Sequence, residues 1–214
     1  VSCEALWAPV NPGASPAPRR LRLVPYPDIA FCRLCGSPSD RRVPPGEDRE
    51  RSVCRACGYV DYVNPTNVVG TVPTWGPDGD HVLLCLRAIE PRKGFWTLPA
   101  GFLEYGETLA DGAARETREE AGAQIEIDGL FTVLDVVQAG QVHVFYRARM
   151  LRPDLDPGPE TTEARLVPLD EIPWDDLAFE TVRWTLERYV EDRSAGNFGI
   201  HAASIGRRPR ESRS

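Results

Sequence analysis

The sequence has no long hydrophobic run and no excess of basic residues. None of its apolar stretches approaches the ~18 consecutive residues that a membrane-spanning helix needs, although 42% of the 214 residues are hydrophobic. The 25 lysines and arginines are outnumbered by 32 aspartates and glutamates, which gives a formal net charge of −7. Affinity for a nucleic-acid backbone comes mainly from clustered basic residues, so this balance disfavours a dedicated nucleic-acid-binding protein. It leaves room for a small phosphate compound as a ligand, because bound divalent cations reverse the local field.

A secretory leader is also not visible near the beginning of the sequence. Residues 1–18 do not combine a basic start with an apolar stretch, and we therefore expect a cytoplasmic protein. Arg19, Arg20 and Arg22 leave an organelle transit segment open as the alternative. Six prolines among residues 1–28 resist both helix and central strand, so this segment is predicted to be an N-terminal arm.

Four of the six cysteines form two closely spaced pairs, Cys32 with Cys35 and Cys54 with Cys57. In each pair two residues separate the thiols, and Gly36 or Gly58 follows the second cysteine and permits a left-handed backbone. Four thiolates in this pattern indicate a tetrahedral Zn²⁺ site with no open position for chemistry. We predict a zinc ribbon over residues 29–63 with a structural role, and leave a binding surface as the alternative.

A larger α/β unit is predicted over residues 64–192. Strands are expected at 67–72, 81–86, 130–137, 142–150 and 165–169. A helix is expected over 108–121, with Thr108 as its N-cap and Gly122 as its stop. An apolar stripe through Phe179 and Val190 predicts a second helix. From about residue 193 onward the sequence is small, polar or basic, and we expect a mobile C-terminal tail at residues 193–214.

The first helix carries a cluster of carboxylates. Glu116, Glu119 and Glu120 lie at positions i, i+3 and i+4, so all three share one helix face. Such clustered oxygen ligands suit Mg²⁺ or Mn²⁺, whereas a solvated acidic face is the alternative explanation. The apolar, turn-forming segment at residues 98–102 favours the metal site, because it can bring the backbone of Gly101 beside the acidic face. Arg115 can reach a carboxylate or a phosphate with a bidentate fork.

The segment from residue 101 to 123 resembles the Nudix box, G-x5-E-x7-R-E-U-x-E-E-x-G-U, in which U is a bulky aliphatic residue. All fixed positions match: Gly101, Glu107, Arg115, Glu116, Glu119, Glu120 and Gly122. The two U positions hold the smaller Thr117 and Ala123, which we expect to loosen the packing behind the loop. The resemblance implies an α/β/α sandwich around a mixed sheet. It also implies that Glu116 and Glu120 are the main metal ligands, with Glu119 and Gly101 completing the site, while Arg115 orients the carboxylates and Glu107 supports the loop.

The resemblance extends to both sides of the box. The cysteine pairs and the segment that follows them are similar to the zinc-ribbon leader of one Nudix branch, and residues 157–179 are similar to plant-type FAD and ADP-ribose pyrophosphatases. The implied reaction is the Mg²⁺- or Mn²⁺-dependent cleavage of FAD, ADP-ribose or a related dinucleotide into two monophosphates. The Ser-Gln-Pro-Trp-Pro-Phe-Pro-like run of NADH-cleaving relatives is absent after the box, which disfavours NADH. Family members are often homodimers.

Residues outside the box supply the remaining candidates. Glu160 and Glu163 are expected in a loop, where either could hold the attacking water or a further metal. Arg87 could meet a phosphate at the end of a strand, and His143 is expected to be a packed side chain rather than a catalyst. Aromatic side chains that could contact a base or flavin ring are Trp96, Phe102, Tyr105, Phe145 and Phe179. Two rival functions remain: a nucleotide sensor that does not cut its ligand, and a zinc-ribbon nucleic-acid protein.

Overall fold

The computed structural model describes residues 29–206. The predicted N-terminal arm (1–28) and the basic residues Arg207, Arg208 and Arg210 lie outside the described residues. Within them, neither helix is both long enough and apolar enough to cross a membrane.

The cysteine-rich region folds around a small antiparallel sheet of three strands. The strands are β1 (Ser39–Arg42), β2 (Arg51–Cys54) and β3 (Val60–Asp61). They are arranged in the order β1-β2-β3. Buried apolar side chains in this region are few, and Val53 is the main one apart from two of the cysteines. Such a small apolar core points to another source of stability.

The rest of the described chain forms one mixed sheet and two α-helices. The strands are β4 (Thr66–Trp75), β5 (His81–Arg87), β6 (Trp96–Thr97), β7 (Ala100–Phe102), β8 (Ile125–Val136), β9 (Gln141–Met150), β10 (Thr161–Pro168) and β11 (His201–Ser204). The helices are α1 (Leu109–Ala121) and α2 (Glu180–Ala195). The strand order is β10-β5-β4-β9-β8-β11, with β6 on β5 and β7 on β4. Among the strands of residues 29–206, the parallel pairs are β4–β9 and β8–β11.

The two helices cover opposite faces of this sheet. On β5, Val82 and Leu84 belong to the same apolar cluster as Leu186 of α2, whereas Leu83 and Cys85 pack in a second cluster with the end of α1. Successive strand residues point to opposite faces of the sheet. We call the face with Val82 and Leu84 the α2 face, and the face with Leu83 and Cys85 the α1 face. The predicted α/β/α sandwich around a mixed sheet is therefore confirmed.

The two predicted ends of α1 are confirmed in detail. The Thr108 hydroxyl accepts a hydrogen bond from the backbone N–H of Asp111 at 3.1 Å. Gly122 ends the helix in the left-handed conformation with φ 66°, and its N–H donates to the carbonyl of Arg118. An L residue with a side chain rarely adopts this backbone geometry, which explains why glycine occupies the position.

The expectation of a tail from residue 193 is wrong for the described residues that follow it. Helix α2 continues to Ala195, and the next residues fold back as β11, which pairs in parallel with β8. Phe198 anchors this return because its ring packs against Phe131 and Tyr189. The segment that forms β11 is too short to show a hydrophobic periodicity. Its structure depends on long-range pairing with β8.

The expectation that Glu163 lies in a loop is also wrong. Strand β10 begins at Thr161, so Glu163 lies within the strand and pairs with Leu86 of β5, next to a bulge. Glu160 does occupy the turn immediately before β10. The prolines and glycine at 157–159 correctly indicated a turn, but its end could not be located from composition alone.

Candidate active site

Arg115 is the hub of the acidic cluster. Its Nε and Nη2 donate to the two carboxylate oxygens of Glu107 at 2.6 and 3.0 Å. Its Nη1 donates to Glu116 at 2.7 Å and to Glu119 at 2.9 Å. Nη2 also donates to the carbonyl of Phe102 at 3.0 Å. One guanidinium thus fixes the turn before α1, two carboxylates of the helix and the strand that faces them. These contacts are the geometry that the predicted orienting role requires.

These contacts change the ionisation of both partners in the fork. Hydrogen bonding to Glu107, followed by that to Glu116 and Glu119, raises the pKa of Arg115 above its ordinary value. The same fork lowers the pKa of Glu107. The side chain of Arg115 is only 15% exposed, so solvent screens these pairs less than it screens a surface ion pair. Arg115 and Glu107 therefore remain charged, and their ion pair holds the Arg115 guanidinium in place beside Glu116 and Glu119.

Gly101 lies directly against the carboxylate of Glu116. A Cβ built at Gly101 would come within 2.3–2.4 Å of the Glu116 carboxylate atoms, which is closer than any real Cβ contact. Strand β7 pairs with β4 through Gly101 and Val69, and this pairing fixes the position of the backbone. The predicted approach of Gly101 to the acidic face is therefore present in the structure.

Glu120 is the most deeply buried member of the cluster. It is 8% exposed, and one oxygen accepts a hydrogen bond from the backbone N–H of Ala100 at 3.3 Å. Burial raises the pKa of Glu120 to about 8, and the negative charges of Glu116 and Glu160 act in the same direction. Burial also raises the pKa of Glu116. A bound cation would offset the cost of ionising both groups, so these carboxylates fit a divalent metal ion.

Glu160, in the turn before β10, and Arg87, at the end of β5, complete the site. Glu160 lies near enough to raise the pKa of both Glu116 and Glu120, while Arg87 lowers that of Glu120. The carbonyl of Glu160 accepts from the N–H of Ala88, which ties its turn to the end of β5. The Arg87 guanidinium lies 5.1 Å from the ring centre of Phe179 and its Nε donates to the carbonyl of Pro91 at 2.9 Å.

Two of the predicted site residues lie apart from this cluster. Glu163 binds Arg165 at 2.6 Å, and the Arg165 guanidinium lies 5.2 Å from the ring centre of Trp96. Trp96 and Arg165 line a shallow cavity of about 220 Å³ together with Pro168 and other residues. Glu163 and Trp96 both pair with Leu86, whose side chain points to the α2 face, so they lie across the sheet from the carboxylates of α1.

The other aromatic candidates differ in how accessible they are. Tyr105 is fully exposed and Phe102 is 57% exposed. Phe145 is a core side chain with 1% exposure, and Phe179 packs against the α2-face cluster. Phe145 is therefore not available to a ligand, and the prediction that it could contact one is wrong. His143 is half-buried, which agrees with its expected packing.

Thr117 does not loosen the packing behind the loop. It is fully buried, and its hydroxyl donates to the carbonyl of Ala113 at 2.8 Å. Since a hydroxyl has one hydrogen, the 2.6 Å contact with Thr71 must be donated by the Thr71 hydroxyl. This pair ties α1 to β4 where an aliphatic side chain was expected. Sequence analysis missed Thr71 and also the amide of Ala100. Only the turn-forming segment at 98–102 hinted at the latter.

The four predicted cysteine ligands converge on one point. Their Sγ atoms all lie within 4.8 Å of one another, and the contacts Cys32–Cys57, Cys35–Cys54 and Cys35–Cys57 measure 3.7, 3.5 and 3.6 Å. Four Zn–S bonds of ~2.3 Å at tetrahedral angles imply S–S separations of about 3.8 Å. Gly36 and Gly58 have φ of 72° and 74°, as the turns require. The cluster therefore fits Zn²⁺.

Comparisons with known proteins agree with both halves of this description. The NUDIX domain family model matches residues 65–187, and the Nudix N-terminal model, a zinc ribbon, matches residues 30–63. A crystal structure of a NUDIX hydrolase from Nitrosomonas europaea is 44% identical, with a TM-score of 0.79. The match covers 83% of this chain and 99% of that one.

Two curated relatives have more specific names. The NAD-capped RNA hydrolase NudC of Stutzerimonas stutzeri is 30% identical over 167 residues, which are 76% of this chain and 56% of the relative. An ADP-ribose pyrophosphatase of Methanocaldococcus jannaschii is 31% identical over 105 residues, which are 47% of this chain and 61% of that protein. The chain thus spans little more than half the length of these relatives. The chain belongs to the Nudix family, and a zinc ribbon of the Nudix N-terminal type precedes its NUDIX domain.

Proposed function

We propose that this protein is a metal-dependent pyrophosphohydrolase that cleaves the diphosphate of a nucleoside diphosphate linked to another moiety. FAD, ADP-ribose or a related dinucleotide is the substrate, and two monophosphates are the products. The observation that carries the proposal is the convergence of Glu116 and Glu120 on the backbone at Ala100 and Gly101. Water adds across one bridging P–O bond: its hydroxyl joins one phosphorus, and its remaining proton goes to the bridging oxygen that leaves with the other phosphate.

The catalytic cation would be held by Glu116 and Glu120, with Glu119 and the backbone of Gly101 at the edge of the site. The exposed position of Glu119, 55% by side chain, and its bond to Arg115 suit an assisting role. When bound, Mg²⁺ or Mn²⁺ would neutralise charge on the phosphoryl oxygens and lower the pKa of the attacking water. Zn²⁺ on the four cysteines would have a purely structural role.

Glu160 is the best candidate for holding the attacking water. Glu160 lies outside α1, and its negative charge raises the pKa of both Glu116 and Glu120. The turn that contains it is hydrogen-bonded to the end of β5. Glu163 is the weaker candidate because Arg165 already binds it. Arg87, whose positive charge lowers the pKa of Glu120, would neutralise charge on the substrate phosphates, because a guanidinium can form paired hydrogen bonds with them.

The decisive experiment is incubation with FAD, ADP-ribose, NADH and dGTP in the presence of Mg²⁺ or Mn²⁺, followed by chromatography of the products. We expect AMP from FAD or ADP-ribose. Glu120→Gln should lower kcat at least 10²-fold, and Glu160→Gln roughly 10²-fold, because each removes a charge from the reacting centre. Glu163→Gln is the matched control and should retain most of the activity. If Glu163→Gln abolished turnover while Glu160→Gln did not, the roles of the two glutamates would be exchanged.

An NAD-type dinucleotide is the second candidate substrate. The name of the Stutzerimonas stutzeri relative supports it, whereas the segment after the box, Gln124 to Asp128, lacks the proline- and tryptophan-rich run expected for NADH cleavage. Faster turnover of NADH than of FAD and ADP-ribose would favour this candidate.

The non-catalytic sensor is the remaining rival. The complete set of charged box residues and their mutual contacts argue against it. Binding of ADP-ribose without release of any monophosphate, under all metal conditions, would favour the sensor. A homodimer remains a prediction from the family resemblance, which light scattering of the purified chain would test.

A further inference from the structure

The end of the sheet beside Gly101 carries a second group of side chains, on the face opposite α1. Phe102 pairs with Val68 across β7 and β4, and Val68 pairs with His143 across β4 and β9. Paired residues point to the same side of a sheet, and Val68 is in phase with Val72 of the α2-face cluster. One row of side chains therefore runs across β7, β4 and β9, and it consists of Phe102, Val68 and His143. It spans two strand spacings, roughly 10 Å.

This row is accessible and lies next to the reacting centre. Phe102 is 57% exposed, and Val68 and His143 are half-buried. The residue before Phe102 is Gly101, which touches Glu116, and the carbonyl of Phe102 itself binds Arg115. The row lies on the opposite face of the sheet from the carboxylates, so a ligand whose phosphates lie at Gly101 would place its next group on the row by passing around the end of β7 at Phe102.

A hydrogen-bonded pair ends the row. His143 Nε2 lies 2.9 Å from Oε1 of Gln141, two residues earlier on the same strand and face. Burial lowers the pKa of His143 to about 4, so the ring is neutral near pH 7 and has one donor and one acceptor nitrogen. Their mutual bond uses one donor and one acceptor. The Gln141 side-chain amide can be assigned in two orientations. In either one, His143 and Gln141 together still offer at least one hydrogen-bond donor and one acceptor to a ligand.

We propose that this row binds the adenine of the AMP half of the substrate. The base lies over Val68 and stacks on the ring of Phe102, and its amino edge forms hydrogen bonds with His143 and Gln141. Adenine presents an amino donor beside a ring-nitrogen acceptor, which complements the pair. Base–aromatic stacking supplies further affinity. The proposal rests on the proposed function, and it names the half that the dinucleotide candidates share. The other half of the substrate then lies on the Arg87 side of the carboxylates.

The reading of the amino group can be tested by binding alone. AMP and purine riboside 5′-monophosphate, which lacks the amino group, are titrated calorimetrically into the full chain in EDTA. AMP should bind roughly tenfold more tightly, as expected for one hydrogen bond with an otherwise unsatisfied partner. Gln141→Leu should remove this difference, whereas Gln124→Leu, at an exposed glutamine between α1 and β8, should keep it. An equal affinity for both nucleotides, or a difference that survives Gln141→Leu, would overturn the proposal.

The stacking can be tested by kinetics. Phe102→Ala should raise KM for ADP-ribose roughly tenfold and leave kcat within about twofold, since the base lies away from the reacting bond. Phe31→Ala, which removes a ring of similar exposure from the zinc ribbon, should change neither constant. An unchanged KM for Phe102→Ala contradicts the placement of the base. If the unaltered chain cleaves no dinucleotide but still prefers AMP, the proposed function fails and the base site stands.

Discussion

At Gly101 there is no space for a side chain between the backbone and the Glu116 carboxylate. We therefore expect Gly101→Ala to displace Glu116 or β7 and to lower kcat roughly 10²-fold, the cost of an error of about 1 Å in a reacting centre. Gly199→Ala is the matched control, because a Cβ there would meet nothing nearer than 3.8 Å. Equal kcat values for the two variants would mean that the Glu116 position has no role in turnover.

His143 makes the stability of the fold depend on pH. Burial holds its folded pKa at about 4, below the ordinary 6.5. A base with a depressed pKa contributes stability that is present above pH 6.5 and is lost as the pH falls toward 4. Lowering the pH from 7 to 5 should therefore cost the unaltered chain on the order of 1–2 kcal/mol more than His143→Leu. Urea unfolding at both pH values measures this, with His81→Leu, at a partly exposed histidine, as the control.

Among the elements, the zinc ribbon depends most on its ligands. Its strands comprise only ten residues in total, four in β1, four in β2 and two in β3, so burial of apolar surface cannot stabilise it alone. Cys54→Ser should abolish the bound zinc measured by mass spectrometry and expose residues 29–63 to limited proteolysis. Cys85→Ala should retain one zinc per chain, because Cys85 is a core residue of β5 and is not one of the four clustered cysteines. Retained zinc in Cys54→Ser would contradict the ligand assignment.

For the molecule as a whole, the segment after α2 is part of the domain. β11 extends the sheet beyond β8, and Asp192 ties it back to α2 by bonding His201 at 2.7 Å and the N–H of Gly199 at 2.9 Å. Phe198→Ala should lower the free energy of unfolding by about 2–3 kcal/mol, somewhat less than for a fully buried phenylalanine. Ile200→Ala, at a side chain that is 67% exposed, should change it little. Equal effects of the two substitutions would contradict the anchoring role of Phe198.

Local patterns predicted the parts of this molecule that depend on near neighbours in the sequence. The cysteine pairs and the ends of α1 follow from spacing, capping and glycine conformation. The placement of Glu163 and the fold of residues 197–204 depend on pairing with β5 and β8, which are remote in sequence. The site divides in the same way: α1 and its carboxylates could be predicted, whereas the Ala100 amide and Thr71 meet α1 only through the register and packing of β7 and β4.

The buried hydroxyls of Thr71 and Thr117 have a consequence for how this sequence can diverge. The Thr71 hydroxyl donates to Thr117. Replacing Thr117 alone by valine would therefore leave the buried Thr71 hydroxyl without a hydrogen-bond acceptor. Replacing both would leave two apolar groups in contact. Among descendants of this chain, the two positions should therefore covary, with paired threonines or paired aliphatics and few mixed combinations.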